Sequence, residues 1–285
     1  MEKVKIGIIG GSGIYDIEDV QDVVTVDLDT PFGKPSDKLI LGTISGIRFA
    51  FLPRHGRGHR ISPSELNFRA NIHAFKQLGA EKIISISAVG SLKEELKPRD
   101  FVIPDQLFDR TKARPCTFFE KGLVAHVGIA DPFCPDLSKI AFETAKELKI
   151  PVHKGGTYVC IEGPQFSTRA ESNVYRQFGF SIIGMTAIPE AKLAREAEIC
   201  YVTVALVTDY DVWKEDEEVD VKKVMANLNA NSENAKSFIK KILPKLESLR
   251  GCECGNALAC SLVTAKDAIP KETLERLKLL VKKYM

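Results

Sequence analysis

The sequence predicts an α/β fold, a single domain with a central mixed, mostly parallel β-sheet flanked by helices. Three observations carry this expectation. Residues 200–207 are almost wholly apolar or β-branched, which marks a strand buried on both faces. Strand-like and helix-like runs alternate along the chain, with no linker, internal repeat or low-complexity segment between them. The 285 residues, 44% of them hydrophobic, supply one large core, so residues 1–285 are assigned to one domain.

Residues 3–9 alternate Val4, Ile6 and Ile8 and predict the first strand, which runs into Gly10, Gly11, Ser12 and Gly13. A glycine-rich turn after a strand brings backbone N–H groups close to an anion. The dinucleotide and P-loop spacings are both absent, so a plain tight turn is the alternative. Residues 38–52 predict two strands split by Ser45 and Gly46. The second ends in residues 53–60, where Arg54, His55, Arg57, His59 and Arg60 crowd around two glycines. Directly after a buried strand, Arg54 suits a phosphate fork rather than a solvated basic loop.

Residues 64–79 predict a helix from the rhythm of Leu66, Phe68, Ile72, Phe75 and Leu78. Residues 82–87 predict a strand, and residues 88–91 a second small-residue turn, with the Ser87 hydroxyl and the Ala88 amide available to an anion. Residues 101–104 are short and extended, and residues 105–135 form the longest irregular stretch, holding Arg110, Arg114, Cys116 and His126. A helix over 136–149, a strand over 156–161, a turn over 162–166 and a helix from 168 to about 178 follow. A strand over 181–184 runs into Met185 and Thr186, with Pro189 and Glu190 placed to open the next helix.

The buried run at 200–207 then ends in Thr208, Asp209, Tyr210 and Asp211. Ligands of open α/β sheets bind beyond the carboxyl ends of strands. The two carboxylates either cap the following segment or clamp a ligand, one sharing a proton with a ring nitrogen and the other accepting from an exocyclic amine. Residues 221–249 predict a long helix that Pro244 kinks or ends, and residues 270–284 a last helix. Residues 250–285, a cysteine-rich turn plus that helix, are expected at the site or at a subunit interface.

Net charge is +2, from 40 basic and 38 acidic residues mixed along the chain, which argues against a nucleic-acid partner. No run approaches the ~20 apolar residues of a membrane helix. The N-terminus lacks a signal-peptide pattern, and a cytoplasmic protein is expected. Of the seven cysteines, Cys116, Cys134, Cys160 and Cys200 read as buried thiols. Cys252, Cys254 and Cys260 crowd together without a histidine nearby. A disulfide within that trio is favoured over zinc, and no metal site is assigned.

The strand ends assemble into one picture. Ser12, Arg54, His55, Ser87, Ala88 and Thr186 suit a phosphate, the Asp pair suits a base bearing a ring nitrogen and an amine, and Met185 offers an apolar floor between them. This combination suggests ribosyl transfer from a nucleoside to phosphate.

The stretches Gly10-Gly-Ser-Gly13, Arg54-His-Gly-Arg-Gly-His59, Cys160-Ile-Glu-Gly-Pro-Gln-Phe166, the run from Gly184 to Glu196, and Thr208-Asp-Tyr-Asp-Val-Trp213 together resemble the S-methyl-5′-thioadenosine phosphorylases, the methylthioadenosine branch of the trimeric purine nucleoside phosphorylases. The resemblance implies phosphate at Ser12, Arg54, His55, Ser87, the Ala88 amide and Thr186, ribose at Met185 and the purine stacked on Phe166. Asp209 and Asp211 would hold the base as the catalytic pair. His59 and His126 would meet the methylthio end, walled by Val221 and Val224 and completed by a neighbouring subunit. It further implies a homotrimer, or a hexamer of paired trimers, and no cofactor, phosphate being a substrate. The expected reaction yields adenine and 5-methylthioribose 1-phosphate, in methionine and purine salvage. The competing expectations are a purine nucleoside phosphorylase of broad specificity, a nucleosidase using water, and a nucleoside-binding protein.

Overall fold

The computed structural model describes residues 3–11, 19–214, 221–249 and 252–285, without the side chains of Val221 and Lys223. Its centre is β5 (Lys82–Ser91), flanked on one edge by β11 (Cys200–Asp209), parallel to it over residues 82–90. On the opposite edge β1 (Ile6–Gly10) pairs with β5 through Ser85, and β10 (Ile182–Gly184) takes up that edge only at Gly90. The four residues between these ladders, Ile86 to Val89, face a gap in the sheet. That gap is the topological switch point at which an α/β sheet binds its ligand.

From β1 the sheet continues through β4 (Ile47–Pro53), β3 (Leu39–Ile44) and β2 (Gln21–Val26). From β10 it runs through β9 (Thr157–Ile161) to β7 (Gln106–Arg110), and from β11 through β6 (Phe101–Ile103) to β8 (Val152–Lys154). Most pairings are parallel; β2–β3, β3–β4, β5–β10 and β6–β11 are antiparallel, so the sheet is mixed as expected.

Helices cover both faces. One core cluster joins α1 (Phe68–Leu78), α4 (Ala187–Glu196) and α6 (Lys271–Val281) through Phe75, Ala194 and Leu277. Another joins α2 (Pro135–Glu147) and α5 (Val221–Ser248) through Leu137, Phe238 and Ile242. Each fully buried Leu, Ile or Phe contributes roughly 1.5–3 kcal/mol before entropy is counted. α3 (Arg169–Gln177) carries a full capping box between Thr168 and Glu171. Among the described residues no helix is long and apolar enough to cross a membrane.

Several boundaries differ from the sequence expectation. β5 does not stop at Ser87 but continues to Ser91, because β11 and β10 both pair with Gly90, where a side chain would have no room. The stretch 105–135 contains β7, whose mostly exposed residues give no apolar signal. β2 is missed for the same reason. α1 begins at Phe68, four residues late, because Asn67 caps it by accepting from the Ala70 amide. Pro244 does not end α5: Ile242, Leu243 and Leu246 are all buried beside it, and their packing outweighs the missing hydrogen bond.

The cysteines also fall differently. All seven are free, and Cys260 is exposed, so the expected disulfide within Cys252, Cys254 and Cys260 does not form. The C-terminal segment packs into the core through Leu258, Leu277 and Leu280, and among the described residues none of its side chains lines the cavity described next.

Candidate active site

A cavity of about 480 Å³ opens at the gap in the sheet. Arg54, His55, Ser87, Ala88 and Thr186 line it, as do Met185, Phe166, His59, Val224, Asp209 and Asp211. Ser12 lies outside the described residues, as does the side chain of Val221. His126 is exposed and is not part of the cavity of its own chain; its backbone N–H donates to the Ser261 carbonyl.

The cationic end is built on Arg54, at the strand end after β4. Arg54 is 1% exposed and ion-paired to Glu190, itself 0% exposed. Nε donates to Glu190 Oε1 at 2.6 Å, Nη2 to Glu190 Oε2 at 3.3 Å and to Ser85 Oγ at 2.5 Å, and Nη1 to the Ile86 carbonyl at 3.1 Å. Four of its five N–H donors thus have acceptors, and one Nη1 hydrogen remains for the cavity. The Ser87 and Thr186 hydroxyls stand 3.0 Å apart beside it. Carboxylate and guanidinium both lie deep in the protein and face each other as a buried ion pair. Tyr201 adds a hydrogen bond to Glu190 Oε2 at 2.8 Å.

His55 donates from Nδ1 to the Ile61 carbonyl at 2.8 Å. Burial first, and the Arg54 charge second, push its pKa down to about 4. At neutral pH it is therefore an uncharged ring whose Nε2 accepts rather than a second cation. It stacks on His59 with ring centroids 4.3 Å apart, and burial also lowers the His59 pKa.

The acidic end is built on a bulge in β11. The register with β5 slips between Val207 and Asp209, which re-aims the strand end. Asp209 Oδ2 accepts from the Thr208 hydroxyl at 2.7 Å and Oδ1 from the Asp211 amide at 2.8 Å. Asn227 and Asn231, on α5, hold the carbonyls of Thr208 and Val207 and so fix the strand end. Gly90 lies so close that a Cβ there would meet Asp209 Oδ1 at 2.9 Å. Burial raises the Asp209 pKa against these donors. Burial, with the neighbouring Asp209 charge adding to it, raises Asp211 to about 6. Two carboxyl groups in such a site favour holding a proton.

Between the two ends, Met185 is positioned by Arg114, whose Nη1 donates to the Met185 carbonyl at 2.6 Å and to the Ile188 carbonyl at 2.7 Å. Gly163, whose φ of +66° favours glycine, lies so close to the Met185 side chain that a Cβ there would displace the sulfur. Phe166 is half exposed at the rim.

Glu190 and Arg114 are site residues that sequence reasoning missed. Glu190 was legible only as a first-turn acid, although an acid placed after a strand-end Pro on a buried helix was the available signal. Arg114 sat in an irregular stretch where nothing distinguished it from Arg110. The regular part of α4 begins at Pro189 as expected, because Ile188 is extended, with φ −113° and ψ 129°.

With this geometry in hand, the family described as the phosphorylase superfamily matches residues 5–244. The chain belongs to that superfamily. Within it, an S-methyl-5′-thioadenosine phosphorylase from Koribacter versatilis (strain Ellin345) is 57% identical over 283 residues, covering 99% of this chain and 97% of the relative. A crystal structure of a methylthioadenosine phosphorylase from an antarctic soil metagenomic library is similar with a TM-score of 0.94 and 49% identity, covering 98% of this chain and 99% of that one. A methylthioadenosine phosphorylase from Schistosoma mansoni in complex with adenine has a TM-score of 0.84 and 36% identity, with 98% of each chain covered.

Proposed function

We propose that the protein catalyses reversible phosphorolysis of S-methyl-5′-thioadenosine to adenine and 5-methylthioribose 1-phosphate. One observation carries the reading: a single cavity holds a carboxyl pair at one end, Asp211 buried and Asp209 partly buried, and a buried arginine with two hydroxyls at the other. The names of the relatives point to the same reaction.

The chemistry follows from charge. Breaking the bond between ribose and the base builds positive charge on the sugar ring. A phosphate dianion held by Arg54, Ser87, Thr186, the Ala88 amide and Ser12 stabilises that charge, then forms the new C–O bond at the anomeric carbon. The departing adenine takes a proton at N7 from the Asp209 carboxyl, whose raised pKa keeps it available. The other Asp209 oxygen and Asp211 accept from the 6-amino group, which a 6-oxo purine does not offer. Met185 packs against the ribose and Phe166 stacks on the purine. Neutral His55 accepts a hydrogen bond at the phosphate end through Nε2.

His59 and Val224 form the methylthio end, together with Val221. His126, exposed on its own chain, is assigned to the cavity of a neighbouring subunit, which implies a homotrimer or a hexamer of paired trimers. No metal or organic cofactor enters the reaction, since phosphate is a substrate. A cytoplasmic place in methionine and purine salvage fits this product pair.

Incubation with methylthioadenosine, with and without phosphate, tests the assignment. Adenine release is expected only with phosphate, and the sugar is expected as its 1-phosphate. Release of free methylthioribose without phosphate would assign a nucleosidase instead, and inosine turned over as fast would assign a broad purine nucleoside phosphorylase.

A further inference from the structure

Four cysteines that are far apart in the sequence meet away from the cavity. Cys134 is the N-cap of α2, Cys200 is the first residue of β11, and Cys252 and Cys254 bracket Glu253 at a short 3-10 turn, Glu253–Asn256. Their sulfur atoms all lie within 4.8 Å of one another, and the sulfurs of Cys200 and Cys252 are 2.8 Å apart. Cys134, Cys200 and Cys254 are buried, at 1%, 6% and 4% exposure, among apolar neighbours such as Leu137 and Val202. None of the four lines the cavity.

We propose that Cys134, Cys200, Cys252 and Cys254 form a tetrathiolate site for one zinc ion. Zinc takes four thiolates tetrahedrally at about 2.3 Å, which places the sulfurs roughly 3.8 Å apart. The four sulfurs are already gathered within that scale. Two disulfides, each holding its sulfurs at about 2.05 Å, would also use all four, but the four are free thiols that converge as one group. A tetrahedral all-sulfur donor set is the one that soft thiolates offer to zinc. The fourth ligand that the Cys252, Cys254 and Cys260 turn lacks comes from distant segments, and Cys260, the exposed member, plays no part.

Charge also fits. A zinc tetrathiolate carries a net negative charge. Cys134 sits at the positive end of α2, a helix start without a side-chain cap, which favours an anion there. Binding converts the four thiols to thiolates and releases their protons to solvent, with no oxidant or reductant involved. The ion would tie the C-terminal segment to the start of the strand that carries Asp209 at its far end.

The test uses the full-length wild-type chain, produced with zinc in the medium and purified without chelator. Elemental analysis is expected to find one zinc per chain, and zinc X-ray absorption four sulfur neighbours at about 2.3 Å. Cys260→Ser should keep the metal, and the double variant Cys252→Ser with Cys254→Ser should lose it. Wild-type protein without stoichiometric zinc would overturn the proposal, whether its four thiols alkylate freely or prove tied in disulfides. Zinc retained by the double variant, or bound through nitrogen or oxygen neighbours, would overturn it equally. The absorption measurement on the wild type decides even if the double variant fails to fold.

Discussion

Asp209→Asn is expected to lower kcat/KM for methylthioadenosine by about 10³-fold, the scale of a lost general acid. Asparagine keeps the shape and still accepts through its one carbonyl oxygen, from either the Thr208 hydroxyl or the Asp211 amide. What it cannot do is release a proton to N7. Its amide donates where the carboxyl accepted, so the relative rate on inosine should rise. The pH profile provides a second readout. The acid form of the Asp pair is the working form, and burial raises both pKa values, Asp211 to about 6. Wild-type kcat/KM should therefore fall as pH climbs through the titration of the pair and be retained below it. The variant should lose that falling limb. Steady-state kinetics on both nucleosides across pH measure all three effects; an unchanged nucleoside preference would refute the clamp.

Glu190→Gln should have the largest effect on stability. It leaves the Arg54 guanidinium, 1% exposed, without its counter-ion. Removing one partner of such a buried pair costs about 3–5 kcal/mol. For a chain of this size that lowers Tm by roughly 6–10 °C, at ~2 °C per kcal/mol. The variant also isolates the role of Arg54. In the wild type, Glu190 already neutralises the cation, and phosphate adds its charge to a balanced pair. In the variant, phosphate becomes the main anion beside a buried cation, so added phosphate should raise Tm more than it does in the wild type. Equal phosphate shifts in the two proteins would show that Arg54 does not reach the phosphate.

Much of this arrangement was legible in the chain because strand ends are. β11 announces itself by an unbroken apolar run, and whatever follows such a run must sit at the edge of the sheet. Arg54, Met185, Thr186 and Asp209 were found by that logic, and they line one cavity. What stayed hidden depends on contacts between distant segments. Glu190 is 136 residues from Arg54, and only the fold reveals that their charges meet. Arg114 reaches Met185 across 71 residues from a stretch without periodicity. The extension of β5 through Ala88 and Gly90 looked like a turn because small residues signal turns, whereas here Gly90 makes room for Asp209. The cysteine grouping failed for the same reason: proximity in sequence joined Cys260 to Cys252 and Cys254, while the fold joins them to Cys134 and Cys200.

A crystal structure with adenine and phosphate bound together tests the central claim most directly. The expected result places adenine N7 and its 6-amino group within hydrogen-bond distance of the Asp209 carboxyl, with phosphate against Arg54, Ser87 and Thr186 in the same cavity. Adenine away from Asp209 and Asp211, or phosphate away from Arg54, would contradict it.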